Sequence, residues 1–392
     1  MRQGVIYLDN AATSWPKPER VYETLGSFLR DSGANPGRSG HRMAASAAGA
    51  IDRTRNRLAA LFNAPEPERV IFCFNATDAL NLAIKGALIA GDHAISTVME
   101  HNSVRRPLKA MEKHGVATTK VAADAEGFVS VEDVRDALRP NTRLIAITHA
   151  SNVNGALQPI ADIGQVAREH GAFLLVDAAQ TAGTVPIDMA ELGIDLMAIP
   201  GHKALMGPPG TGALLIGERV DVDELNTVRE GGTGGNSEED VQPPQLPARY
   251  EAGTHNTVGI AALGAALDYL ADIGFEEAGR HELEMTWRLV EGLTGGTGIT
   301  ILNPSDPEQH VAVVSIVVDG WEPAEFGTTL DSAFEIACRT GLHCAPEACQ
   351  ALGAFPRGTI RLSPGYWTTP DEIDQAVHAI RELAHAPLEM TS

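Results

Sequence analysis

A chain of 392 residues, 44% of them apolar, can bury a large core and is long enough for about two domains. Its formal net charge of -21, spread along the sequence, favours solubility and argues against binding to nucleic acid or anionic membranes. Cys73, Cys338, Cys344 and Cys349 are too few and too irregularly spaced for a disulfide framework or a zinc site, and the apolar run at 311–318 is too short to cross a bilayer. Met1-Arg2-Gln3-Gly4 leads directly into a strand-like segment, so a cytoplasmic protein with free thiols and no metal is expected.

Along the chain, apolar runs alternate with segments of helical period. Residues 70–74, 94–98, 117–121, 144–148, 173–176, 196–199 and 213–216 read as strands, and 79–90, 104–113, 131–138 and 161–170 as helices. Such alternation implies an α/β fold with a mostly parallel seven-stranded sheet and helices on both faces. The last two strands, joined by the short Gly/Pro-rich segment 203–212, are where an antiparallel exception is expected. After a loop rich in Gly, Pro and acid at 231–247, a helix over 259–273 leads out of this large domain. The strand 311–318 and the helix 372–384 then belong to a smaller α+β domain.

The run Ala172-Phe173-Leu174-Leu175-Val176 is apolar without alternation, which implies burial on both faces, and Asp177 falls where the strand ends, well placed to meet a ligand. Gly201-His202-Lys203 follows the next strand. A carboxylate against the pyridine nitrogen of pyridoxal 5'-phosphate (PLP) keeps that nitrogen protonated, and a lysine in an apolar site deprotonates readily and attacks the cofactor aldehyde. Asp177 and Lys203 suit these two roles; taken singly, they read as a helix cap and a surface lysine. Ala76-Thr77-Asp78, between a strand and a helix, offers free N–H groups and a helix dipole to the cofactor phosphate, or else an ordinary cap. Arg361 offers a planar, bidentate donor pair to an amino-acid carboxylate, or else an exposed ion pair.

These segments keep a fixed order with Tyr7-Leu8-Asp9-Asn10-Ala11-Ala12-Thr13, Ala76-Thr77-Asp78-Ala79-Leu80-Asn81, Glu100-His101-Asn102-Ser103, Ser151-Asn152-Val153-Asn154-Gly155, Arg249-Tyr250-Glu251-Ala252-Gly253-Thr254, Arg339-Thr340-Gly341-Leu342-His343-Cys344-Ala345-Pro346 and Arg361-Leu362-Ser363. From Tyr7 to Tyr366 the chain resembles the class V PLP-dependent aminotransferases, and the cysteine desulfurases in particular. The resemblance implies the fold type I architecture of PLP-dependent transferases, with a large PLP-binding domain at 15–259. A discontinuous small domain, 1–14 and 260–392, follows because the N-terminal segment folds back in that family. It implies phosphate contacts from Thr77 and His202, and from Thr254 of a neighbouring subunit in a homodimer. His101 would stack on the cofactor ring and move protons, while Gln180 and Asn152 would reach the ring edge, Asn152 also meeting substrate. Arg361 would clamp the substrate carboxylate.

Cys344 selects the reaction within this resemblance. In desulfurases an enzyme thiolate takes sulfur from L-cysteine as a persulfide, releasing L-alanine, and passes it to an acceptor protein. His343 is the adjacent group that would promote ionisation of such a thiol. The Arg-Thr-Gly-x-His-Cys-Ala pattern is similar to type II desulfurases, and Cys73, Cys338 and Cys349 have no matching role. Selenocysteine lyase, another class V lyase or aminotransferase, and a catalytically silent partner in sulfur trafficking are the alternatives. Three positions depart from the pattern: Pro200 removes a hydroxyl near the phosphate, Leu342 replaces a histidine, and Asp78 a glutamate. The loop Gly207-Pro208-Pro209-Gly210-Thr211-Gly212 lacks the Gly-Lys-Ser/Thr ending of a phosphate-binding P-loop and reads as the turn after Lys203.

Overall fold

The computed structural model describes residues 4–36, 41–235 and 238–385. The first three and last seven residues assigned to the small domain, and two within the 231–247 loop, lie outside the described residues.

Seven short strands form the central sheet in the order Val70–Cys73, Gly212–Ile216, Leu196–Pro200, Phe173–Asp177, Thr142–Thr148, His93–Thr97, Ala117–Val121. Four of the five inner strands, from Gly212–Ile216 to Thr142–Thr148, are almost wholly buried, as their largely apolar runs require when helices cover both faces. Ala117–Val121, at the sheet edge, is largely part-exposed and carries threonines and a lysine. The sheet is parallel except for Gly212–Ile216, which runs against both neighbours. A connection as short as 201–211 can return a strand antiparallel but cannot make a parallel crossover.

Parallel pairing aligns the carboxyl ends of the remaining strands, placing Thr148 beside Asp177 and Asp177 beside Ala198. At this edge helix Ala76–Ala87 starts under an Asn75 cap and helix Asn102–Glu112 under a His101 cap. Open α/β sheets bind ligands at this edge, outside the carboxyl ends of their strands.

A second sheet, antiparallel in the order Arg339–Gly341, Thr359–Leu362, Val314–Val318, Ile299–Ile301, is packed by helices Phe275–Leu293, Pro323–Phe334 and Pro370–His385. Ile6–Tyr7 pairs in parallel with Ile336–Ala337, and Ile6 and Leu8 are buried in the same core as Phe326 and Ile380. Two sequence expectations shift. The boundary at 259 would cut helix Thr257–Ile273, yet Ile260, Leu263, Leu267 and Leu270 belong to the large core. A helix so apolar stays with the larger core, and the chain departs at Gly274 (φ 87), where the next helix turns away by 80°. The strand expected over 311–318 is confined to Val314–Val318, because Val311 and Val313 pack instead with Ala11 and Ala150.

One buried ion pair fastens the 249–256 segment to the large domain. Arg55, 6% exposed, donates to both carboxylate oxygens of Glu251, 7% exposed, at 2.8 and 2.9 Å. Glu251 also accepts from the Phe72 N–H at 2.7 Å, and Arg55 donates to the Val70 carbonyl. Removing one partner strands the other charge in the core. Glu251→Ala is expected to cost about 3–5 kcal/mol of stability, measured as a lower urea midpoint. An unchanged midpoint would show that Arg55 finds water without Glu251.

Candidate active site

The carboxyl edge of the large sheet, the start of helix Ala76–Ala87 and the small-domain strands that carry Arg339 and Arg361 enclose a cavity of about 210 Å³. Asp177 and Lys203 line its floor. The Asp177 side chain accepts from the Ala179 N–H at 3.0 Å. Burial raises its pKa, against the pull of Lys203 and that N–H. The Lys203 amine is lowered to about 8, first by burial, with Arg361 and Arg339 adding to the effect and Asp177 and Asp9 opposing it. A carboxylate and an amine thus share a poorly solvated space in which an added cationic N–H and an aldehyde would both find partners.

The Lys203 loop is fixed by close packing. A Cβ on Gly201 would lie 2.2 Å from Thr211 Oγ1, so only glycine lets the chain turn there. The N-terminal segment clasps the other side: Thr13 Oγ1 and Lys17 Nζ donate to the His202 carbonyl at 3.0 and 2.7 Å, and Ser14 Oγ donates to the Lys203 carbonyl at 2.8 Å.

At one end, Ala76 and Thr77 line the cavity in the first helical turn, where N–H groups have no carbonyl inside the helix to bond. Thr77 Oγ1 lies 2.7 Å from Ser103 Oγ, and Ser103 Oγ lies 2.8 Å from His101 Nδ1. Because Nδ1 also accepts from the Ser103 N–H at 3.1 Å, the ring proton sits on Nε2. His101 is pushed down to about 4, chiefly by burial and then by Lys203 and neighbouring arginines, so it is neutral at physiological pH. The cap and the site histidine are one residue. His202 also lines the cavity, and its buried Nδ1 has no partner among the described residues. These donors suit a phosphate without any hydroxyl at position 200, where Pro200 closes the strand.

At the other end, Arg361 (2% exposed) and Arg339 are register partners on adjacent strands, and both reach the cavity. Arg361 donates to Asp9 Oδ1 at 2.9 Å and to the Asn152 carbonyl at 3.0 Å, which fixes its plane; its buried Nε has no partner among the described residues. Two guanidinium groups at one wall offer the donor geometry that suits a carboxylate. Gln180 lines the cavity and donates to the Ala11 carbonyl at 3.3 Å. Asn152 lines it too, and its side-chain amide donates to the His343 carbonyl at 2.7 Å.

Cys344 is the one exposed cysteine of the four. Burial raises Cys338 to about 12 and Cys349 to about 11, and raises Cys73 further. The Cys344 and Arg361 side chains lie within electrostatic range of each other. His343 does not play the cationic part expected of it. Burial, then Arg361 and Arg339, push it down to about 3, and its Nε2 is taken up by Thr359 Oγ1 at 2.8 Å. Arginine is the positive group near this thiol.

Two residues expected at the cofactor lie elsewhere in the single chain. The Asp78 carboxylate accepts from the Phe74 N–H at 3.0 Å and pairs with Arg229 at 3.2 Å, outside the cavity. Thr254 lines a separate cleft with Arg229, Phe74 and His255. Ser103, Arg339 and Asp9 also take part in the site, and only their positions inside the motifs that carry the family resemblance point to them in the sequence.

The sequence model of the class V aminotransferases matches residues 6–376, and the chain belongs to that family. A probable cysteine desulfurase of Methanothermobacter thermautotrophicus is 32% identical over 97% of this chain and 94% of its own length. The cysteine desulfurase of Pectobacterium atrosepticum is 32% identical over 97% of this chain and 93% of its own. Among solved structures, a cysteine desulfurase of Thermococcus onnurineus NA1 superposes with a TM-score of 0.90 at 31% identity, covering 97% of this chain and 94% of that one. The cysteine desulfurase CsdA of Escherichia coli superposes at 0.87 and 27% identity, covering 98% and 95%.

The fold is that of the fold type I PLP enzymes, and PLP is the cofactor of the family. The cavity fits it: a buried carboxylate lies beside a readily neutralised lysine, N–H donors gather at one end, and two arginines stand at the other. Capture of the cofactor aldehyde needs the neutral amine, which exists above the lowered pKa of Lys203. Uptake of PLP by the cofactor-free protein is therefore expected to quicken about tenfold per pH unit and to level off near pH 8, followed by absorbance. Lys203→Ala should bind PLP without a borohydride-reducible link. A flat pH profile, or a retained link, would remove Lys203 from this role.

Proposed function

We propose that the protein is a cysteine desulfurase that converts L-cysteine to L-alanine and holds the sulfur as a persulfide on Cys344. The observation that carries this reading is the placement of its single exposed cysteine. Cys344 sits on a short loop bound through its neighbour His343 to Asn152 and Thr359, and within electrostatic reach of Arg361. The close relatives are desulfurases by name.

PLP, when bound, supplies the electron sink that lets the substrate α-proton leave. Asp177 would hold the proton on the cofactor ring nitrogen, and Lys203 would anchor the aldehyde carbon and, once released, carry the α-proton. Ala76, Thr77 and His202 would hold the phosphate, while His101, with its proton on Nε2, packs against the ring. Arg361 and Arg339 orient the substrate carboxylate. The Cys344 thiolate attacks the substrate sulfur, forming an S–S bond as the C–S bond breaks. The C–S electron pair remains with carbon, which takes up a proton and leaves as the methyl group of alanine. Carbon is reduced and sulfur oxidised, so no external redox partner is needed.

The same reading includes a homodimer and a protein that accepts the persulfide sulfur. The dimer is supported by Thr254, which lies in a cleft apart from the Lys203 cavity and so is free to serve a second copy. Sedimentation at assay concentration should give a dimer; a monomer that holds PLP and turns over normally would remove Thr254 from the site.

After brief exposure to cysteine, mass spectrometry should find one added sulfur on the Cys344 peptide and none on those of Cys73, Cys338 or Cys349. Cys344→Ser should lose alanine formation from cysteine by more than about a hundredfold, as loss of a nucleophile generally does. Undiminished alanine formation would assign the protein to another class V activity. A variant that is inactive toward cysteine but active toward selenocysteine would fit the mechanism, because the weaker carbon–selenium bond can break without the thiolate.

A further inference from the structure

His343 and Cys344 both occupy the left-handed region of backbone space, with φ of 49 and 59. Residues with side chains adopt it at a cost, and hold it only when their surroundings leave no alternative. Cys344 is exposed, so packing of its own side chain does not supply that restraint. Its carbonyl accepts from the Asn102 N–H at 2.8 Å, and Asn102 begins the helix that His101 caps. Two residues after Cys344 the chain enters helix Pro346–Ala351, with Glu347 in its first turn. The Glu347 carboxylate takes Arg105 Nη2 at 2.8 Å and Lys120 Nζ at 2.7 Å. Arg105 in turn donates from Nη1 to Asn102 Oδ1 at 2.9 Å. The contacts close a circuit: Cys344 to Asn102, Asn102 to Arg105, Arg105 to Glu347, and Glu347 back along the chain to Cys344.

We propose that Glu347 is a positioning residue that locks the Cys344 loop to the helix headed by His101, using Arg105 and Lys120 as its two anchors. The inference rests on the reading of Cys344 as the sulfur carrier. An isolated surface ion pair would have little weight, but here one carboxylate is shared by two cations from two elements of the large domain, a helix and the sheet's edge strand. Burial opposes ionisation of Glu347, and Arg105 and Lys120 more than offset it, so its carboxyl stays below the usual range and charged at neutral pH. Tension between the strained loop and its clamp keeps the thiol and His101, which come from two domains, in one register. Without the clamp, the loop can relax out of the left-handed conformation and the sulfur drifts from its line of attack.

The test is Glu347→Gln in the PLP-loaded protein, with Lys120→Gln as a milder second variant in case the first is poorly folded. Glu347→Gln should raise the alkylation rate of Cys344 by iodoacetamide about fivefold and lower kcat for cysteine by about fivefold to tenfold, with KM nearly unchanged because Arg339 and Arg361 are untouched. Lys120→Gln should move both quantities the same way by less. Arg105→Gln should change both quantities less in the Glu347→Gln protein than in the wild type, since the contact the two share is then already gone and only the Arg105 bond to Asn102 is left to lose. Alkylation does not require desulfuration, so the two readings fail separately. Wild-type alkylation rates in both single variants overturn the clamp whatever turnover shows. Faster alkylation in a protein whose wild type never carries persulfide upholds the clamp and removes Cys344 from the chemistry.

Discussion

Asp177 and Lys203 share the floor of one cavity, and each sets the state of the other. Burial drives the carboxyl up and the amine down, while the opposite charge of the neighbour works against both shifts. The result is a carboxylate seeking a cationic N–H and an amine that is neutral often enough to attack an aldehyde. Parallel strand ends make this possible, because Asp177 closes one strand, and the loop that carries Lys203 leaves the adjacent one. The remaining contacts of the site hold that pair in place.

The holding is done by segments distant along the chain. Thr13, Ser14 and Lys17 bind the carbonyls of His202 and Lys203, and burial lowers Lys17 to about 7 as it does so. Asp9, a few residues earlier, fixes Arg361. The N-terminal segment therefore joins the two domains: its strand pairs in the small domain, and its next turn grips the large one. The cavity lies between them because the same short segment serves both.

Two hydrogen-bond chains link otherwise separate roles. Thr77, Ser103 and His101 connect the helix start at one end of the cavity to the histidine on its wall, so one hydroxyl meets both. Asn152 offers its carbonyl to Arg361 and its amide to His343, connecting the carboxylate wall to the cysteine loop. His343, neutral and held by Thr359, supports that loop through its backbone, and the positive charge near Cys344 comes from arginine.

The strand end that bears Asp177 and the loop that bears Lys203 were legible in the sequence, because a strand buried on both faces must be continuously apolar and its first polar residue marks where the strand meets the site, even though that residue is itself buried. The antiparallel return after Lys203 was legible from the shortness of its loop. The helix Arg42–Leu61 was not, since half of its buried residues are alanine and two more, Thr54 and Arg55, are polar, which leaves no strong apolar stripe. The sequence by itself thus determined the alternation of elements, the ends at which ligands meet the sheet, and the residue types present there. Only the tertiary structure decided their partners: that Asp78 serves Arg229, that Ser103 bridges two functions, and that Arg361 is held by Asp9 across 352 residues. Apolar burial follows local pattern, whereas a hydrogen bond between distant residues depends on how two domains dock, which no local pattern encodes.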